Sequence, residues 1–120
     1  DGSSSHGTHT MGTMVGLQLN TFDTIGLAYN AQWIAAGSLC AGSAGTTAAF
    51  QWALNPDNDT ATASDVPDVI NNSWGGSQGV AQCNSTVVPI FNALEAAGVA
   101  VVFSAGNSGP GVSTITSPKN

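Results

Sequence analysis

The chain has 120 residues, room for one domain with a core but not for two. Charged residues make up only 7% while hydrophobic ones reach 42%. An average soluble domain is roughly 25% charged, and disordered chains carry more charge and fewer aliphatics, so disorder is excluded. One basic residue, Lys119, faces seven acidic ones for a net charge of -6. That balance excludes a phosphate-gripping nucleic-acid surface and attraction to an anionic membrane.

In chain order, the polar opening DGSSS lacks the charged, apolar, small-residue order of a signal peptide. Ser5 to Leu17 predicts a helix, with the serine run as N-cap candidates and Met11, Met14 and Val15 as an apolar face. Gly7, Gly12 and Gly16 oppose it, each by up to ~1 kcal/mol against Ala, and imply close packing against another backbone. Asn20 to Asn30 predicts loop and turn, and Ala31 to Gly37 (AQWIAAG) a buried strand. Gly42 to Thr46 reads as loop and Thr47 to Leu54 as a helix packing Phe50, Trp52 and Leu54. Asn55 to Asp68 is a polar, acidic, exposed insertion with prolines at 56 and 67. Val69 to Trp74 predicts a strand, Ser85 to Ala97 a helix closed by Gly98, and Val99 to Ser104 an apolar strand. Strands alternating with helices predict an α/β fold with a parallel sheet, and the lack of polar alternation predicts cover on both faces. No apolar run approaches the ~20 residues of a membrane span.

Cys40 and Cys83 are the only cysteines. A disulfide between them closes a loop of about 40 residues, worth up to ~4 kcal/mol in the chain-entropy model. Both follow predicted strand ends, which favours the bond; two inert thiols are the alternative. Three Asn-x-Ser/Thr triplets are compatible with export.

Three segments can carry chemistry. SHGTHTMGT holds the only histidines, His6 and His9, three apart on the predicted helix. Zinc needs further ligands, and no Glu stands between them as HExxH requires, so no metal is assigned. A general base and a structural pair remain open. VVFSAGNSGPG ends an apolar strand in Ser-Ala-Gly-Asn, where a carboxamide can be aimed at a developing oxyanion; an ordinary turn is the alternative. DVINNSWGG ends another strand in flat glycine backbone that can accept an extended peptide.

In that order and spacing, SHGTHTMGT, DVINNSWGG and VVFSAGNSGPG resemble the subtilisin-like serine proteases, the subtilases. NNSWGG looks closest to the bacillopeptidase-F-like branch. The likeness spans nearly the whole chain. It implies a three-layer α/β/α fold with a parallel sheet, here incomplete, residues 1–120 being the central part of one catalytic domain. By resemblance His6 is the general base, His9 a structural residue and Asn107 the oxyanion-hole donor. Ser73, Trp74 and Gly75 match one wall of the specificity pocket, Ser104, Ala105 and Gly106 the other, and Gly42 to Ala44 the strand that pairs with substrate backbone. His6 and Asn107 are thus expected at one rim of a substrate groove.

The sequence departs from the family pattern in two places. No strand-end Asp precedes the histidine, and no GTSMA-type segment supplies the serine. The resemblance therefore implies peptide-bond hydrolysis by acyl transfer in the full-length protein, with this chain inactive alone. A pseudoprotease module that binds peptides without cleaving them is the alternative. No cofactor is expected. Relatives often bind calcium, which leaves calcium open for the full-length protein, although Asn20–Asp23 offers few oxygen ligands. The expected partner is a peptide or protein substrate, the expected location extracellular, and the unprotected sheet edges predict self-association.

Overall fold

The computed structural model describes residues 5–37, 42–76 and 86–118. Contacts divide the chain into two compact units, residues 1–37 and 38–120. Cys40 and Cys83 lie outside the described residues, and with them the expected disulfide.

The first unit opens with α1, His6–Val15. Ser5 is its N-cap, but its hydroxyl makes no capping bond; its carbonyl accepts from His9 N–H at 2.9 Å. A small antiparallel ladder follows, β1 (Leu17–Gln18) with β2 (Asp23–Thr24), pairing Leu17 with Thr24 and Gln18 with Asp23. β1 begins at Leu17, the expected last residue of the helix, and β2 lies where loop and turn were expected. The carbonyl of Gly16 accepts from the N–H groups of Ile25 (3.0 Å) and Gly26 (2.7 Å), folding the return chain onto the end of α1. A Cβ on Gly26 would collide with the backbone of Val15 and Gly16. Backbone proximity therefore explains Gly16 and Gly26. It does not explain Gly12, beside which a Cβ would meet nothing.

The segment Ala31–Gly37 is not the buried strand its composition suggests. It is exposed and unladdered, with Trp33 59% and Ile34 47% accessible. A strand needs a partner for its N–H and C=O groups, and none lies beside this one among the described residues.

The second unit begins with α2, Gly42–Trp52. Its first turns replace the loop expected at Gly42 to Thr46, so no edge strand exists at Gly42 to Ala44. Glycine and threonine are poor helix formers, but packing of the helix through Phe50, 4% exposed, outweighs propensity. β3 (Val69–Asn72), α3 (Val88–Ala96) and β4 (Ala100–Phe103) then form a βαβ unit. β3 and β4 pair in parallel, in the register Val69–Ala100 through Asn72–Phe103. A parallel pair needs a long crossover, and the segment carrying α3 supplies it.

α3 follows local rules at both ends. Proline stands in its first turn, where a missing N–H costs nothing. At its end Gly98 N–H donates to Glu95 O and Val99 N–H to Leu94 O, both at 2.9 Å. That is a Schellman closure with Gly98 at φ +85°, left-handed backbone that suits glycine. Its apolar clasp joins Leu94 and Val99, which with Phe50 form the buried core.

Phe91, Phe103 and Trp74 pack against that core, with Phe91 edge-on to Phe50 at 5.2 Å and Trp74 edge-on to Phe103 at 5.4 Å. All lie on one face of the β3–β4 pair. Val69 and Val102 on the other face are 55% and 49% exposed. Among the described residues the expected cover on both faces is therefore not seen. Inside and outside positions alternate along both strands, and the described residues of the second unit form an α/β arrangement of helices packed on a small parallel sheet.

Candidate active site

His6 opens α1 and His9 follows one turn on, both exposed. The helix holds them by backbone bonds and by Thr13, whose hydroxyl donates to His9 O at 3.2 Å. An exposed imidazole at a helix head is accessible to a substrate or a neighbouring side chain, as a general base must be. His6 belongs to the first unit and Asn107 to the second, and each is described in its own surroundings.

The second unit brings the two expected wall segments together. Ser73–Gly75 leaves the carboxyl end of β3, and Ser104–Gly106 leaves the carboxyl end of β4. The parallel register puts those ends side by side, and Ser104 N–H donates to Asn72 O at 3.0 Å, extending the ladder one step past the strands. Open parallel sheets bind ligands at this edge because the strands stop there and their connections diverge. Asn71 Nδ2 donates to Ser73 Oγ at 2.9 Å on the exposed side. The indole of Trp74 turns the other way, into the aromatic cluster, 6.4 Å from Phe50. The Trp74 ring therefore packs into the core behind the strand end instead of projecting from its exposed side.

Ser104, Ala105, Gly106 and Asn107 are all exposed. Gly106 has φ +90°, a turn that a residue with a Cβ resists. An open recess of about 320 Å³ lies beside this wall, lined by Val101, Phe103, Ser104, Ala105 and Ile115. Gly76 N–H donates to Ser117 O at 2.8 Å, so a third stretch abuts the end of the first wall. Ser117 is 4% exposed. Sequence reasoning passed over it, and no local signal marks it.

The Asn20–Asp23 loop is poor in side-chain oxygen ligands. Asp23 supplies its only carboxylate, and Thr21 Oγ1 already donates to Asp23 Oδ2 at 2.9 Å. Among the described residues no group of three His, Cys, Asp or Glu side chains could hold a metal ion. No described helix is long and apolar enough to cross a membrane.

Comparison with known proteins bears on this arrangement. The chain is 38% identical over 128 residues to bacillopeptidase F of Bacillus subtilis (strain 168), covering 97% of the chain and 8% of that protein. It is 36% identical over 115 residues to an extracellular protease of Xanthomonas campestris pv. campestris, covering 92% of the chain and 19% of that protein. The chain thus spans less than a fifth of either relative. No solved structure gives a significant match. The family model of the subtilases, peptidase family S8, matches residues 1–120. A match running from the first residue to the last leaves no segment outside that assignment, and the chain belongs to the subtilase family.

Proposed function

We propose that this chain supplies the general base, the oxyanion donor and two substrate-binding walls of an extracellular serine endopeptidase. The observation that carries the proposal is that Ser73–Gly75 and Ser104–Gly106 leave the carboxyl ends of adjacent parallel strands side by side, with Ser104 N–H bonded to Asn72 O. That is where an extended peptide meets backbone it can bond to.

In this reading His6 removes the proton from a serine hydroxyl supplied by another part of the protein. The serine oxygen bonds to the scissile carbonyl carbon, whose oxygen becomes an anion. Asn107 Nδ2 donates to that anion. The C–N bond then breaks, and His6 returns the proton to the leaving amine. Water repeats the sequence on the acyl-enzyme. The chain's own residues need no cofactor for these steps. A peptide or protein is the substrate, as the proteolytic names of both relatives support, and the name of the Xanthomonas campestris relative, an extracellular protease, supports an extracellular setting.

The test uses the full-length protein and a chromogenic peptide. Asn107→Ala should lower kcat by about 10²–10³ with little change in KM, a range taken from subtilisin, a member of this same family. His6→Ala should remove hydrolysis that a serine-directed phosphonate blocks. Wild-type rates in His6→Ala overturn the proposal. Peptide binding without any hydrolysis by the wild type would replace it with a non-catalytic peptide-binding module.

A further inference from the structure

Asn72 is the buried polar residue of β3, 3% exposed. It shares a strand face with Ile70 and Trp74, toward the aromatic core. A carboxamide there is costly unless its donors and acceptor are used. All of them are used. Nδ2 donates to Ile70 O at 3.3 Å and to Val102 O at 3.2 Å. Oδ1 accepts from Trp74 Nε1 at 3.1 Å. One side chain thus ties its own strand, the neighbouring strand and the indole of the first wall. Its backbone carbonyl meanwhile accepts from Ser104, the first residue of the second wall.

An apolar residue would suit the site's burial better. What it could not supply is direction. Contacts with Phe50 and Phe103 hold the indole in the core but fix the place of its N–H edge less sharply than a hydrogen bond does. An N–H···O bond fixes the ring's edge. We propose that Asn72 is a positioning residue for substrate binding. By locking the Trp74 indole it sets the backbone of Ser73–Gly75 at a fixed spacing from Ser104–Gly106. The inference rests on the reading of those segments as substrate-binding walls.

The experiment compares Asn72→Leu, Trp74→Phe and the double variant in the full-length protein. It reads KM and kcat on a peptidyl nitroanilide, and the ¹⁹F spectrum after 5-fluorotryptophan labelling, with the Trp74 resonance assigned by its loss in Trp74→Phe. Each single variant should raise KM about tenfold, the equivalent of one modest hydrogen bond, with kcat within about twofold. The double variant should raise KM no further, because both substitutions break one link. Asn72→Leu should shift the Trp74 resonance. Additive KM effects, or an unmoved resonance, overturn the proposal. If Asn72→Leu does not fold, Trp74→Phe decides alone: an unchanged KM overturns it. If the wild type cleaves nothing, the catalytic reading fails separately. The Asn72 proposal is then judged on the ¹⁹F shift, together with the same weakening of peptide affinity in both single variants.

Discussion

Asp57 shows how much a single residue can do inside a polar loop. Its Oδ1 accepts from Asp59 N–H and its Oδ2 from the Thr62 hydroxyl, each at 2.9 Å, while Asp57 N–H donates to Asp65 Oδ2 at 2.9 Å. These bonds turn Asn55–Asp68 from an acidic run into a braced loop. Donation from Asp59 N–H, then from Thr62, holds the Asp57 carboxyl below its ordinary value. A depressed folded-state value stabilises the loop at pH above the ordinary carboxylate range, and that contribution is lost as pH falls through the lowered value. Thr62→Val should move the Asp57 titration upward, read by the pH dependence of its carboxyl ¹³C shift. An unmoved titration would show that the hydroxyl does not hold the ionised form. The acidity of this segment was plain from the sequence; its internal bonding was not, because it depends on turns closing between residues 57, 59, 62 and 65. Asn72 makes the same point more sharply. The Asn-Asn pair in an apolar strand was visible, but a bond to a carbonyl 30 positions away was not.

At the scale of elements, legibility tracks how local the determining bonds are. α3 and β4 were expected within a few residues of where they lie, since the Schellman closure at Gly98 spans only Leu94 to Val99. α2 began earlier than expected and Ala31–Gly37 formed no strand, because each was decided by what packs or pairs beside it. The glycines of the first unit give a direct test. Gly12 lies within α1 facing open space, so Gly12→Ala should raise stability, by up to ~1 kcal/mol. Gly26 lies against the backbone of Val15 and Gly16, so Gly26→Ala should lower it by about 1–3 kcal/mol, the usual cost of forcing atoms into a filled space. Thermal unfolding checks both. Equal effects from the two would mean that the return chain does not dock on α1 as described.

At the scale of the molecule, the 120 residues leave much apolar surface open: Leu19, Phe22, Leu27 and Val112 are 74%, 76%, 97% and 93% exposed. Among the described residues the sheet of the second unit has two strands, so each leaves one side without a ladder. A net charge of -6 opposes association, but such repulsion is screened over about 8 Å at physiological ionic strength. The 120-residue chain expressed alone should therefore self-associate, and more strongly as salt rises. Analytical ultracentrifugation giving a monomer at low and high salt alike would contradict this.

The family was legible in the sequence, since its motifs are runs of adjacent residues: SHGTHTMGT, NNSWGG and FSAGNSGPG. The sequence by itself also determined the one helix whose caps are local. Folding in three dimensions set the rest: Trp74 faces the core, Asn72 bridges two strands and an indole, and among the described residues Ala31–Gly37 has no ladder and the strand pair is covered on one face. Those outcomes depend on partners distant in sequence. A burial or a hydrogen bond has two ends, and a linear pattern records what each end can do without recording which other end it meets.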